Sequence, residues 1–183
     1  MKITIISFSP RKNGSCYAIM NELCRFHEKD NDVKAFDFSS LTINPCGGCN
    51  YECFNNAESC PNINDSVYSV YDGITESGLS YFIVPNYCDY PCSAFFAFNE
   101  RSQCYFQKRY ERLEKYLSVP KKFIVVSNTG RDNFTAAFRY QISEEREPDV
   151  LFLSAKSFGK VSIRGDLMDC DEAKKAVREF AGK

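Results

Sequence analysis

A chain of 183 residues is about the size of one domain, and 44% hydrophobic with 26% charged residues is the composition of a globule with a sizeable core. The 23 basic and 24 acidic residues leave a net charge of −1, which excludes the basic footprint of a nucleic-acid or anionic-membrane binder. No run of about 18 apolar residues is present to span a bilayer, and the apolar start Ile3–Phe8 lacks the long h-region of a signal peptide. The expected location is therefore the cytoplasm. There, ten cysteines point to thiols, metal ligands or core residues rather than disulfides.

Lys2–Phe8 (KITIISF) reads as a buried strand rich in β-branched residues. After the turn Ser9–Gly14, residues Cys16, Met20, Leu23, Cys24 and His27 recur at helical spacing. His27 is the only histidine and is expected to be structural, near a helix end where a cation complements the dipole. Val33–Phe38 alternates as a second strand. Residues 39–62 form a long loop with four cysteines. Val67, Val70, Tyr71 and Ile74 mark one face of a second helix. Leu79–Pro85 is a third strand. Pro91 can open a third helix running to about Leu117, which Pro120 ends. Lys121–Ser127 is a fourth strand, Asn133–Glu145 a fourth helix and Val150–Ala155 a fifth strand. Ala173, Ala176, Val177 and Phe180 mark a last amphipathic helix. Five alternating strand–helix units imply an α/β three-layer sandwich around a parallel sheet, and the flavodoxin-like strand order 2-1-3-4-5 fits them best. The whole of 1–183 is expected to form this one domain, with 39–62 as a cysteine-rich loop. Ligands of this fold bind beyond the carboxyl ends of the strands.

The segment Ser9-Pro10-Arg11-Lys12-Asn13-Gly14-Ser15-Cys16 joins the first strand to a helix N-terminus, a position suited to a phosphate. Ser9, Ser15 and Asn13 can donate hydrogen bonds, Gly14 lets the backbone approach, and Arg11 can offset a dianion. The plainer alternative is an ordinary turn with a serine N-cap. Neither a Walker A motif nor G-x-G-x-x-G is present, so ATP and NAD are poor choices as tightly held ligands.

The stretch ISFSPRKNGSC resembles the GSPRKNGNT-type loop of the NADPH-dependent FMN reductase family, a flavodoxin-like group. The resemblance implies that Ser9, Arg11, Asn13, Ser15 and Cys16 surround an FMN phosphate. Phe8 stands where that family often has glycine, and Cys16 where it often has threonine. FIVPNYCDYPCSAFFAFNER resembles the family's strand-three exit, which would set Pro85, Asn86, Tyr87 and Cys88 against the isoalloxazine. VVSNTGRDNF resembles its strand-four exit, which would place Ser127, Asn128, Thr129 and Gly130 on the other side of the ring. An aromatic face stacking on the ring and backbone groups at its polar edge make physical sense.

Cys46, Cys49, Cys53 and Cys60 follow the spacing C-x2-C-x3-C-x6-C within the loop. Four such thiolates can hold a [4Fe–4S] cluster or a tetrahedral zinc, or the loop can hold no metal and serve as a lid over the flavin. The run resembles that of iron–sulfur flavoproteins, whose cysteine cluster follows strand two and passes electrons to FMN. Their usual C-x2-C-x2-C is here one residue longer between Cys49 and Cys53. Cys24 fits a helix core position, Cys92 suits a small buried hydrophobe or a redox thiol, and Cys104 and Cys170 have no partner in sequence.

The expected function is an FMN-dependent oxidoreductase that takes electrons from NAD(P)H, or through an iron–sulfur cluster, and passes them to a small acceptor or a partner protein. The alternative is a non-catalytic FMN electron carrier. A phosphoacceptor domain would need adjacent acidic residues after strand one, where Ser9-Pro10-Arg11 stands. Phe95, Phe96, Phe98, Tyr105, Phe106, Tyr110, Leu113, Tyr116 and Leu117 cover more than one face of the third helix. A second copy of the chain, or the loop 39–62, could bury the surplus.

Overall fold

The structure, a computed structural model, describes residues 1–128, 138, 141–143 and 146–183. Strand β1 (Lys2–Ser7) pairs in parallel with β2 (Asp32–Asp37) and β3 (Leu79–Tyr87). A short strand β4 (Tyr90–Pro91) folds back antiparallel on β3. Strands β5 (Lys121–Ser127) and β6 (Asp149–Ser154) extend the parallel sheet, which runs β2-β1-β3-β5-β6. This is the flavodoxin-like order expected from the sequence, with β4 as an added hairpin.

The strands are apolar on both faces because helices cover both. Ile3 and Ile5 of β1, Tyr81 and Ile83 of β3, and Ile124 and Val126 of β5 pack on one side with Ile19 and Leu23 of helix α1 (Ser15–His27). Ile6, Phe82, Val84, Phe123 and Val125 face the other side, toward Val67, Val70, Tyr71 and Ile74 of helix α2 (Val67–Thr75). Phe8 continues that second face and is fully buried, its ring 4.6 Å from Phe38 and 5.2 Å from Phe95. A glycine at this position would leave the aromatic cluster without its centre.

The expected third helix is instead three: α3 (Ser93–Glu100), α4 (Ser102–Phe106) and α5 (Tyr110–Ser118). Pro91 does not open it, because Pro91 is the last residue of β4. The chain turns at Lys108, which adopts φ +58, a left-handed conformation that ends a helix. The aromatic surplus also lies elsewhere than expected. Phe95, Phe98, Tyr105, Phe106 and Tyr116 are buried within the chain, and Tyr71 stacks on Phe98 at 4.3 Å and on Tyr105 at 4.9 Å. Of the nine residues, Phe96 and Tyr110 stay exposed.

The expected helix Asn133–Glu145 falls mostly outside the described residues, though Phe138 is described and stacks on Phe123 at 4.2 Å. The last helix, α6 (Asp171–Ala181), sets Ala173, Val177 and Phe180 against the α1 side of the sheet. His27 is structural, bonded within the core rather than set free at the helix end. Its Nε2 lies 2.9 Å from the Tyr81 hydroxyl, and burial, helped by nearby Lys122, lowers its pKa. Among the described residues, no helix is long and apolar enough to cross a membrane.

Candidate functional site

At the carboxyl edge of the sheet, three chain exits converge. The first is the loop after β1. Pro10–Asn13 are exposed, whereas Ser9, Ser15 and Cys16 are buried. Asn13 adopts φ +56, and the extended Gly14 leads into α1 without a side-chain cap. The Ser9 hydroxyl oxygen accepts the Arg11 backbone N–H at 3.2 Å, tightening the turn. Burial pushes the Cys16 thiol far up, with the Cys92 sulfur and Asp37 adding to it and Arg11 opposing it. Cys16 is therefore a neutral thiol, not a thiolate.

The second exit is the β3–β4 hairpin. Cys88 and Asp89 both adopt positive φ (53° and 65°), the conformation a two-residue hairpin turn demands. The Asn86 side chain accepts the Asp89 N–H at 2.8 Å and donates to the Ser127 hydroxyl at 3.0 Å. It thus ties the hairpin to the third exit, at the end of β5. Pro85 is buried, while Tyr87 and Cys88 are exposed at the rim. Cys92, just beyond, is 2% exposed and donates to the Phe8 carbonyl at 3.2 Å, which makes it a core residue. Thr129 and Gly130 lie outside the described residues.

A feature the sequence did not signal crosses this edge. After β6 the chain forms short 3-10 turns, and the segment Ser162–Gly165 lies on the loop after β1. Arg11 Nη2 donates to the Ile163 carbonyl, and the Ser15 hydroxyl donates to the Ser162 carbonyl at 3.3 Å. Asn128 Oδ1 accepts the Ser162 N–H at 2.9 Å. Gly165, at φ +76, sits so close that a Cβ there would stand 2.7 Å from the Asn13 carbonyl oxygen. Uncapped helix amides, two serine hydroxyls and a guanidinium form a donor set that fits a phosphate. The carbonyls of 162 and 163 occupy two of those donors.

The second centre is the cysteine loop. Two 3-10 turns, Glu52–Phe54 and Ala57–Ser59, shape it. Cys46, Cys49, Cys53 and Cys60 line one small cavity of about 10 Å³. Cys104, on α4, lines it too, so this cysteine does have partners. Cys53, Cys60 and Cys104 pack together as a buried group, while Cys46 and Cys49 flank the Gly47–Gly48 turn at its more open side. Burial raises the thiols of Cys46, Cys53 and Cys60, and the Cys104 sulfur adds to each. As they stand, no group of three or more His, Cys, Asp or Glu side chains among the described residues could hold a metal ion. The chemistry of the donor set, five sulfurs around one cavity, nonetheless fits a soft metal.

Arg101 closes this centre and is fully buried. Its carboxylate partner is Asp65, which also accepts the backbone N–H groups of Asn44 and Val67. Burial works against the Arg101 charge, but its bonds to Cys104 and Asp65 outweigh that and hold its pKa above the ordinary value. Nothing in the local spacing singled out Arg101 or Cys104, since both lie some 40 residues or more beyond the loop. Arg101 stands at the junction of α3 and α4, three residues before Cys104 of α4.

Fold and edge loops together define a flavodoxin-like α/β protein. No protein-family model matches the chain. In sequence it is similar to an iron-sulfur flavoprotein of Clostridioides difficile (strain 630), 33% identical over 105 residues, 56% of this chain and 46% of that protein. The match thus spans about half the length of the curated relative. In structure it is similar to a flavone reductase, with a TM-score of 0.62 at 16% identity, covering 100% of this chain and 62% of that one. It is also similar to FerB of Paracoccus denitrificans, a flavoenzyme NAD(P)H:(acceptor) oxidoreductase, with a TM-score of 0.57 at 15% identity over 99% and 95% of the two chains.

Proposed function

We propose that this protein is an FMN-dependent oxidoreductase that draws electrons from NAD(P)H and passes them to a small acceptor or a partner protein. The observation that carries it is the convergence of Ser9, Arg11, Ser15, Asn86, Ser127 and Asn128 at one edge of a flavodoxin-like sheet. The likeness to an iron-sulfur flavoprotein in sequence and to a flavoenzyme NAD(P)H:(acceptor) oxidoreductase in fold supports it. FMN, when bound, would supply the hydride and electron chemistry.

The chain supplies binding and orientation. Arg11, with Ser9, Asn13 and Ser15, would hold the phosphate, and the α1 amides would add their dipole. In doing so Arg11 and Ser15 would exchange the carbonyls of Ile163 and Ser162 for phosphate oxygens. Asn86, fixed between Asp89 and Ser127, would present the β3 exit to the ring, with Tyr87 at its edge. Ser127, Asn128, Thr129 and Gly130 would line the opposite side. Cys16, a neutral thiol, would contribute a contact rather than thiolate chemistry, and Cys88 a contact at the rim. The cysteine loop would hold a soft metal, as a [4Fe–4S] centre or as zinc.

The test is FMN titration by fluorescence, followed by steady-state NADPH and NADH oxidation with a small acceptor. Arg11→Ala is expected to weaken FMN binding by about 1.5–3 kcal/mol, the worth of a hydrogen bond to a charged group. Equal affinity in mutant and wild type would remove Arg11 from the phosphate site. FMN binding without nicotinamide turnover would leave an electron carrier in place of an enzyme.

A further inference from the structure

We propose that Cys104 is a ligand of the metal site in the cysteine loop, with Arg101 as the buried cation that positions its sulfurs. The inference deepens the metal part of the proposed function and rests on it. Cys53, Cys60 and Cys104 supply three thiolates, and either Cys46 or Cys49 from the Gly47–Gly48 turn supplies the fourth.

The placement of Arg101 is the first support. Its side chain carries five N–H donors, and each has a partner. Nη1 reaches the Asn44 carbonyl at 2.9 Å and the Asp65 carboxylate. Nη2 reaches the Asn62 carbonyl at 2.9 Å and the Cys60 sulfur at 3.8 Å. Nε points at the Cys104 sulfur at 3.2 Å. A fully buried guanidinium thus commits two donors to sulfur. A neutral thiol is a weak acceptor and compensates poorly for the desolvation of an N–H. A thiolate accepts a charge-assisted bond. Both donors are thus already aimed at the sulfurs that a metal would hold as thiolates, while the Cys104 thiol in turn donates to the Arg101 carbonyl at 3.2 Å.

The second support is the burial pattern. Cys104 is 1% exposed and Cys53 and Cys60 are 5% and 8% exposed, while Cys46 and Cys49 are partly open to solvent. The three enclosed sulfurs come from two separate parts of the chain, the loop and α4, around one cavity that all five cysteines line. The Tyr68 hydroxyl is buried against this group and faces the Cys104 sulfur, a donor that would serve the ligands as they draw together.

The step balances simply. A divalent metal ion binds four thiols, four S–H bonds break, four metal–sulfur bonds form, and four protons leave to solvent. No electron is transferred. The centre then carries a charge of 2−, beside the cation of Arg101.

The experiment is an anaerobic titration of the reduced, metal-stripped protein with cobalt(II) and with zinc, with FMN content measured on the same samples. Cobalt(II) reports its thiolate ligands through sulfur-to-metal absorption. In Cys104→Ser that band should fall by about one quarter, as one of four thiolates is lost, and zinc should bind more weakly. Cys53→Ser and Cys60→Ser should behave alike, whereas Cys46→Ser and Cys49→Ser should each keep the full band, because the other thiol takes the place. Cys104→Ala, which suits the apolar packing, guards against a fault caused by a buried hydroxyl. Arg101→Lys should weaken zinc about 10–100-fold while the band keeps its four-thiolate intensity. A Cys104→Ser or Cys104→Ala protein with wild-type cobalt spectrum and zinc affinity would overturn the proposal, as would a wild type that binds neither metal. Loss of FMN with metal retained would instead count against the flavin site alone.

Discussion

Lys121 opens β5 with its side chain only 5% exposed, and its Nζ donates to the carbonyls of Tyr116 and Val119. Two carbonyls and the Tyr116 ring, 4.2 Å away, do not offset its removal from water. Burial, with Arg146 nearby, pushes its pKa down to about 7. In the unfolded chain a lysine titrates near 10.4. Between these values the unfolded chain holds the proton more firmly, so stability rises with pH from about 7 upward. The buried thiols pull the other way as the pH approaches 8, because burial raises them and the unfolded chain ionises them first. From pH 7 to pH 8 the share of Lys121 should be roughly 1 kcal/mol. Urea denaturation at the two pH values would show it as the difference in pH response between the wild type and Lys121→Met, which carries the same thiols. An equal slope in both proteins would place the titration elsewhere. The sequence offered no hint of this, since KKFIVVS reads as a strand whose lysines lie at its solvent end.

Among the elements, those with a strong hydrophobic period were legible, and those set by side-chain anchoring were not. The strands KITIIS and KKFIVVS fall within a residue or two of their expected bounds, and the four residues that marked the last helix all lie on it. The third helix was not legible as three, because an aromatic-rich run at helical spacing carries no mark of the turn at Lys108. Likewise the pairing of Cys104 with a loop some 40 residues earlier depends on how α4 is set down, which spacing alone does not encode. The loop after β1 was legible as a strand-to-helix turn from its proline, glycine and serine pattern, but its cover by Ser162–Gly165 was not. That cover can be tested at Gly165. An alanine there would hold φ +76 and place its Cβ 2.7 Å from the Asn13 carbonyl oxygen. The left-handed conformation alone costs about 1–2 kcal/mol for a residue with a Cβ. Gly165→Ala should therefore lower the melting temperature by about 2–8 °C in a chain of this length. An unchanged melting temperature would mean that the segment does not rest on the loop in solution.

At the scale of the whole molecule, the question is what the chain leaves uncovered. Its second layer absorbs most of the aromatic residues of α3, α4 and α5, with Tyr71 of α2 stacked between Phe98 and Tyr105. The expectation of a homodimer therefore loses most of its original support, and what remains is narrower. Phe96 is 40% exposed and lines an open groove of about 560 Å³ with Ile43, Pro45, Ala94 and Ala97. Tyr87 and Tyr90 stand exposed on the hairpin that leads into the same helix. A stable homodimer needs roughly 800 Å² from each subunit, so a partner would have to cover the groove and the hairpin together. Such an interface would be isologous and would lie beside the proposed flavin edge. We expect a dimeric mass by light scattering at micromolar concentration. Phe96→Glu should convert it to a monomer with little change in melting temperature, because Phe96 is not part of the buried core. A monomeric wild type would remove the dimer and leave the groove open to solvent. A dimeric Phe96→Glu protein would place the interface on another face.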